Sequence, residues 1–124
     1  MRIPANIDMH AWRNAGFETQ LAFQENGLPI DLTGLTGTAI TADVRVQPNQ
    51  TGAALRTSSL LSGMLIVNAT QGLIAWNIVN ALLTTFPTPD PFKPTQYYYD
   101  ITITPLTGLP FVVCQGSFWT YPGV

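Results

Sequence analysis

The chain has few of the residues on which most enzymes and metalloproteins depend, since its 124 residues include one cysteine, Cys114, and one histidine, His10. A single cysteine excludes an internal disulfide and a metal site built from several thiolates, and a single histidine excludes a two-histidine metal site. Cys114 ends an apolar run that begins at Leu109. This context predicts a small buried residue in a strand rather than a reactive thiol.

Charge is scarce as well. Charged residues make up 10% of the chain, against roughly 25% in typical soluble domains, and the mean hydropathy is +0.19. We therefore expect a partner protein to cover part of the surface. The net charge is −2, and the basic residues lie singly along the chain, at Arg2, Arg13, Arg45, Arg56 and Lys93. Because no basic stripe follows from this spacing, nucleic-acid binding is disfavoured.

Long apolar runs are missing too. The longest, such as residues 64–67 and 73–76, are far shorter than the roughly 20 residues of a membrane-spanning helix, so no membrane partner is expected. The N-terminus lacks the apolar stretch of a signal peptide, which predicts a chain made and kept in a cytoplasm.

Motifs for catalysis and for cofactors are absent. None of the serines lies in Gly-x-Ser-x-Gly, and neither a nucleotide-binding glycine loop nor an Asp-x-Asp-x-Asp-Gly calcium loop occurs. Asp31, Asp43, Asp90 and Asp100 are expected in turns or on solvent faces, without an apolar surround to raise the pKa of a carboxyl group. The sequence therefore predicts a protein that is not an enzyme and has no cofactor and no metal.

What the chain does contain is alternation with a period of two. In residues 40–46, Ile40, Ala42, Val44 and Val46 share one face of a strand, with polar residues on the other. Glycine, proline and asparagine turns separate seven or so such segments. They are residues 16–23, 40–46, 54–60, 64–68, 73–78, 97–104 and 111–119. The pattern predicts an all-β antiparallel β-sandwich of about seven to eight strands, with a small β-barrel as the alternative. Gly116 is expected to form a β-bulge, and residues 79–84 one helical turn.

The domain prediction is an N-terminal arm, residues 1–15, followed by a single sandwich domain, residues 16–124. An arm of this kind can add to the edge of a neighbour's sheet. A stiff, proline-rich loop at residues 86–94 is a second contact candidate, weighed against a simple crossover between strands. The candidate interface residues of the arm, the loop and the C-terminal strand are Ile3, Ile7, Met9, His10, Trp12, Phe86, Pro89, Phe92, Trp119 and Tyr121.

Residues 27–34, Gly-Leu-Pro-Ile-Asp-Leu-Thr-Gly, predict a polar corner in which Asp31 and Thr33 bond nearby backbone amides. This corner resembles part of a family of tailed-bacteriophage modules, the N-terminal domain of upper baseplate and tail-fibre-anchoring proteins. The further segments that carry the resemblance, in the family's order, are Thr-Ala-Asp-Val-Arg at 41–45, Gly-Leu-Ile-Ala-Trp at 72–76, Tyr-Asp-Ile-Thr-Ile-Thr at 99–104 and Gly-Ser-Phe-Trp-Thr-Tyr-Pro-Gly at 116–123.

The resemblance covers residues 16–124. It implies an Ig-like sandwich that docks a fibre or another virion structural protein onto the tail or baseplate, in several symmetric copies. The chain ends where longer members continue into a linker, which suits a stand-alone adaptor or a protein that decorates the capsid or neck. The expected location is the virion, assembled in the host cytoplasm, and the expected state is a homo-oligomer or another symmetric assembly.

A carbohydrate-binding module that recognises host surface glycans is the alternative from a different class. Its rings would come from residues 97–99, Trp119 and Tyr121, because aromatic rings stack on the apolar faces of sugars. The competing interpretation, which we favour, is that alternating aromatic strands build the core. An assembly module predicts oligomers, whereas a glycan-binding module predicts a soluble monomer with an exposed aromatic patch.

Overall fold

The computed structural model describes residues 4–48 and 54–122. Within these ranges, besides two single-turn 3-10 helices at Gly37–Ala39 and Ala69–Gln71, the chain forms eleven strands and one short α-helix. They are β1 (Ala5–Asn6), β2 (Met9–Trp12), β3 (Phe17–Ala22), β4 (Gln24–Glu25), β5 (Leu28–Pro29), β6 (Ile40–Arg45), β7 (Arg56–Ser59), β8 (Met64–Asn68), β9 (Leu73–Ile78), α1 (Asn80–Leu83), β10 (Thr95–Ile103) and β11 (Phe111–Tyr121).

The larger sheet has the order β1-β11-β10-β6-β7, and β2 also pairs with β11. The pairs β11–β10, β10–β6 and β6–β7 are antiparallel. The two N-terminal strands run parallel to β11, with Ala5 beside Cys114 and Met9 beside Phe118. The sheet is therefore mixed, which corrects the expectation of a purely antiparallel sandwich.

The smaller sheet has the order β3-β9-β8, and β4 and β5 form a separate hairpin in the connection from β3 to β6. The strand order corresponds to G, F, C and C′ for β11, β10, β6 and β7, and to B, E and D for β3, β9 and β8, as in a variable-type immunoglobulin sandwich. The all-β sandwich prediction is confirmed. The alternative of a small barrel is wrong, because the described strands form several open sheets.

The core lies between the two sheets, where the inward-facing side chains of both meet. Trp76 of β9 is fully buried, and its ring centroid lies 5.0 Å from that of Phe17 and 5.8 Å from that of Phe118. The inward set on β10 is Tyr97, Tyr99, Ile101 and Ile103. Because alternate residues of a strand point to opposite faces, Tyr98 lies on the other side of the sheet. Only part of the proposed aromatic face therefore faces solvent.

The β-bulge lies elsewhere than expected. Ile101 pairs with Cys114 and Thr102 with Val112, so Val113 is the extra residue of β11, whereas Gly116 pairs regularly with Tyr99. The prediction of a bulge at Gly116 is wrong. The glycine is needed for another reason, since a Cβ atom there would lie 2.9 Å from the carbonyl carbon of Ile7, in the connection between the two N-terminal strands that run beside β11.

The other element predictions are close to the structure. The predicted strand at 16–23 is Phe17–Ala22, and the one at 97–104 is Thr95–Ile103. The helical turn appears as α1. The polar corner is present, because the Asp31 carboxylate accepts hydrogen bonds from the amide and hydroxyl of Thr33, at 2.9 and 2.5 Å. No helix in the described part of the chain combines the length and the apolar character needed to cross a membrane.

Candidate binding surface

The N-terminal strands complete the larger sheet of the same molecule. The amide of Ile7 donates to the carbonyl of Gln115 at 3.0 Å, and the hydroxyl of Tyr99 donates to the carbonyl of Ile7 at 2.5 Å. The amide of Ser117 donates to the carboxylate of Asp8 at 3.3 Å. The arm was expected to add to the edge of a neighbour's sheet. In this structure it pairs instead with β11 of its own chain.

Four aromatic side chains, His10, Trp12, Trp119 and Tyr121, gather on the outward face where β2 runs beside β11, and we call them the aromatic ledge. His10 pairs with Trp119, and Trp12 with Tyr121. The Tyr121 ring lies 5.1 Å from that of Trp12 and 5.7 Å from that of His10, whose Nδ1 is 2.5 Å from the tyrosine hydroxyl. Trp12 is 52% exposed, so the ledge presents ring surface to solvent.

Arg13 lies next to Trp12 at the end of the ledge and forms several hydrogen bonds there. Its guanidinium donates to the carbonyl oxygens of Pro91 and Lys93 at 3.2 Å, and to the hydroxyl of Thr95 at 3.0 Å. A further bond reaches the hydroxyl of Thr120 at 3.3 Å. The planar fork of arginine suits several acceptors at once, so this one side chain holds the arm against the proline-rich loop and β11.

Next to the ledge, the outward face of β6, β10 and β11 forms an open groove of about 460 Å³. We call it the polar groove. The side chains that matter for its chemistry are Asp8, Asp43, Tyr98, Asp100, Gln115 and Ser117, with Arg45 at one side. Asp43 is satisfied by two neighbours, since the Arg45 guanidinium lies 3.0 Å from its carboxylate and the Thr57 hydroxyl donates to it at 2.7 Å.

Asp100 lies directly opposite Asp43 on the neighbouring strand. Its pKa is raised above the usual 3.8, chiefly because burial disfavours the charged form and further because of the negative Asp43, while Arg45 opposes the shift. The expectation that none of the four aspartates has a surround that raises its pKa is therefore wrong for Asp100. Asp31 differs, because the hydroxyl and amide of Thr33 lower its pKa.

The predicted interface residues separate into three groups. Met9 and Phe86 are buried in the core, at 5% and 4% exposed, so the expectation that they contact a partner is wrong for this structure. Met9 alternates inward on β2, and Phe86 packs edge-on against Tyr97 at 5.3 Å.

The second group is brought together by the fold, since His10, Trp12, Trp119 and Tyr121 form the ledge. The third group is exposed but lies apart from it. Ile7 is on the arm, and Pro89 and Phe92 are on the proline-rich loop, where Phe92 is 88% exposed. Ile3 lies outside the described residues.

Sequence reasoning missed the polar groove. Alternation places Tyr98 and Asp100 on a solvent face, but only strand pairing brings them beside Gln115 and Ser117 of β11. The available signal was the outward polar set of β10 together with that of residues 115–117, and period-two patterns carry no information about which strands are neighbours.

Cys114 is buried, as predicted, and its sulfur lies 3.2 Å from the hydroxyl of Tyr99. Burial raises the pKa of the thiol, which favours its unreactive protonated form.

Within residues 4–48 and 54–122, no group of three or more histidine, cysteine, aspartate or glutamate side chains is arranged to hold a metal ion. The ledge presents aromatic rings and the groove presents hydrogen-bonding groups to solvent. No known protein family and no curated protein matches this chain.

Proposed function

We propose that this chain is a non-enzymatic structural protein of a tailed-phage virion, an adaptor that joins neighbouring subunits of the tail or baseplate. The observation that carries the proposal is an apolar, uncharged strand edge on the smaller sheet. Three exposed side chains, Leu61, Leu65 and Val67, define what we call the β8 surface.

Strand β8 is an outer strand of its sheet, since in the described residues it pairs only with β9. Leu65 is 65% exposed and Val67 is 46% exposed, and Leu61 in the preceding turn is 76% exposed. No lysine, arginine, aspartate or glutamate occurs anywhere in residues 57–89, which include the whole strand. Charges are one of the ways in which monomeric proteins protect such edges, and this edge has none, although its pairing with β9 shifts register at Val67.

An apolar edge without charges favours a contact in which a neighbouring subunit covers it, through strand addition or through side-chain packing. The low charged fraction of the whole chain agrees with a surface that neighbours cover. The resemblance of residues 16–124 to tail-fibre-anchoring modules supplies the kind of assembly. Neighbours on the β8 surface would leave the opposite sheet, with its ledge and groove, open.

The first experiment measures solution mass by light scattering over a range of protein concentrations. We expect discrete oligomers for the native chain and a shift toward monomer for Leu65→Lys, because a charge on the edge opposes its desolvation. Leu109→Lys is the matched control, since Leu109 is also apolar and exposed, at 83%, but lies in the loop before β11. An equal shift in both variants would contradict a specific role of the β8 surface.

The second experiment tests the location directly. Gold-labelled antibodies against the purified chain should mark the tail or baseplate of virions produced by cells that carry its gene, as seen by electron microscopy. Label on the capsid or neck would replace the adaptor role by decoration, and virions without label would overturn the proposal.

A further inference from the structure

The adaptor role leaves the outward face of the larger sheet unused. The aromatic ledge and the polar groove lie in consecutive rows of the same sheet, because Trp119 pairs with Gln96 and Ser117 with Tyr98. The amide of Gln96 also donates to the hydroxyl of Ser117 at 2.8 Å, which joins the two regions. Outward residues of one strand are about 6.7 Å apart, so the rows from Tyr121 to Gln115 extend over about 20 Å.

The groove offers unused hydrogen-bonding capacity. Within the described residues the Asp100 carboxylate accepts no hydrogen bond, although it is half-buried and lines the groove. Gln115 is exposed beside it, directly opposite on β11. A carboxylate next to an amide can accept from and donate to adjacent hydroxyl groups of one ligand.

The charge of the groove selects against anions. Asp8, Asp43 and Asp100 line it, and the only cation among its described lining residues is Arg45, which already pairs with Asp43 at 3.0 Å. A phosphate, sulfate or carboxylate ligand would meet an excess of negative charge at short range. The groove therefore disfavours an anionic ligand.

Ring surface continues from the groove onto the ledge. Tyr98 lines the groove between Arg45 and Ser117, and beyond it lie Trp119, Tyr121 and Trp12. Aromatic faces contribute stacking area for flat apolar surfaces, and the polar tips of tyrosine and tryptophan add hydrogen bonds. A pyranose ring has an apolar face and hydroxyl groups around its edge. The aromatic rings match the apolar face, and the polar side chains of the groove match the hydroxyl groups.

The backbone of the groove disfavours a peptide. Strand β10 lies between β11 and β6, β11 between β10 and the N-terminal strands, and β6 between β10 and β7, so all three strands of the floor are paired on both sides. A peptide cannot add to them as a strand and would lose the main-chain hydrogen bonds that give such complexes their affinity.

From these contacts we infer that the polar groove and the aromatic ledge form a binding site for a neutral oligosaccharide of several sugar units. Asp100, Gln115 and Ser117 bind its hydroxyl groups, and Tyr98 and Trp119 stack on its rings. This inference does not depend on the virion role, since it uses the sheet opposite to the β8 surface.

Calorimetric titration of the full chain tests the site with maltohexaose, cellohexaose, mannohexaose and chitohexaose as probes, and with oligogalacturonate and hexalysine as charged comparators. We expect at least one neutral probe to bind with a Kd of about 1 mM or tighter, and oligogalacturonate not to bind. Binding of none of the neutral probes would overturn the inference, as would binding of either charged comparator at least as tightly.

Variants locate the binding. Asp100→Asn and Tyr98→Ala should each weaken the affinity by about 10-fold, because each removes one contact to the ligand. Thr102→Ala is the matched control, one outward position further along β10 and outside the groove lining. Urea unfolding of each variant confirms its fold. Leu65→Lys, which changes the β8 surface on the opposite sheet, should bind the probe with the affinity of the native chain. Unchanged affinity in both groove variants would overturn the site even if a sugar binds.

Discussion

At the scale of single residues, Ser58 shows how one hydroxyl orients the largest side chain of the core. Both Ser58 and Trp76 are fully buried, and the indole Nε1 donates to the serine oxygen at 3.1 Å. The bond crosses between the two sheets, from β9 to β7. A polar group buried in this way stabilises the fold only while its partner is present.

Ser58→Ala should destabilise the protein by about 1–3 kcal/mol, since it leaves the buried indole N–H without an acceptor. Urea unfolding followed by tryptophan fluorescence measures the change. Ser62→Ala is the control, because the Ser62 hydroxyl bonds the Arg56 side chain at an exposed position, and its effect should stay within about 0.5 kcal/mol. Equal losses in the free energy of unfolding for the two variants would show that the buried hydrogen bond stabilises the fold no more than the exposed one.

Asp100 should make stability depend on pH. Because its folded pKa is raised above 3.8, ionising it opposes folding at neutral pH, and this cost disappears as the pH falls through the raised pKa. Asp100→Asn should therefore be more stable than the native chain at neutral pH, by at most about 0.5 kcal/mol because solvent screens this half-exposed carboxyl group, and should lose that advantage below about pH 3.8.

The comparison is a urea midpoint for each chain at neutral pH and in acid. Asp31→Asn should change the free energy of unfolding in the opposite direction. Because the pKa of Asp31 is lowered in the fold, its ionised carboxylate stabilises the native chain at neutral pH, and this stabilisation is lost as the pH falls through the lowered pKa. If the urea midpoints of the native chain and Asp100→Asn differed by the same amount at neutral pH and in acid, the electrostatic explanation would be refuted.

At the scale of elements, the close approach of the N-terminal strands to β11 depends on Gly116. The turn between β1 and β2 passes over this position, where the Ile7 carbonyl occupies the space of a side chain. The same carbonyl accepts the hydroxyl of Tyr99. Residues far apart in sequence thus share one small volume, and a methyl group there would displace the arm.

Gly116→Ala should destabilise the fold by about 2 kcal/mol or more and speed amide hydrogen exchange at Ile7, whose amide donates to Gln115. Gly27→Ala serves for comparison, because Gly27 has a positive φ of 78° but no described atom lies within 4 Å of an added Cβ. That variant should cost about 1 kcal/mol and leave Ile7 protected. Normal protection of Ile7 in Gly116→Ala would contradict the close approach.

At the scale of the whole molecule, the arm is part of the sandwich. Met9 and Ala11 are 5% and 1% exposed and belong to the same core as the residues of both sheets. Arg13 adds hydrogen bonds to the proline-rich loop and to the adjacent strand β11. The arm therefore contributes to the free energy of folding as well as to the ledge.

Deleting residues 1–12 should lower the melting temperature by about 10 °C or more, since it exposes the core beneath Met9 and leaves one edge of β11 unpaired. Circular dichroism on heating measures the shift, and increased binding of a hydrophobic dye reports the exposed core. A truncated chain that melts like the native one would show that the arm is only an appendage.

Much of the fold could be predicted from local pattern. The alternation of residues 40–46 and 97–104 identified their strands and their buried faces, and the turn chemistry of Asp31 and Thr33 identified the corner. Less of the binding surface could be predicted. Met9 and Phe86 were predicted to contact a partner, but both are buried. Apolar residues in a terminal arm or a proline-rich loop show no period that separates an inward from an outward position.

The sequence by itself determined the all-β class and the absence of the usual catalytic motifs, since alternation, turn residues and composition are local properties of the chain. Only the tertiary structure decided that the arm pairs in parallel with β11, that the extra residue is Val113, and that Asp100 faces Asp43. The physical reason is that strand pairing joins residues at any sequence separation, 109 positions for Ala5 and Cys114 but 57 for Asp43 and Asp100, and a period of two is the same for every partner and register.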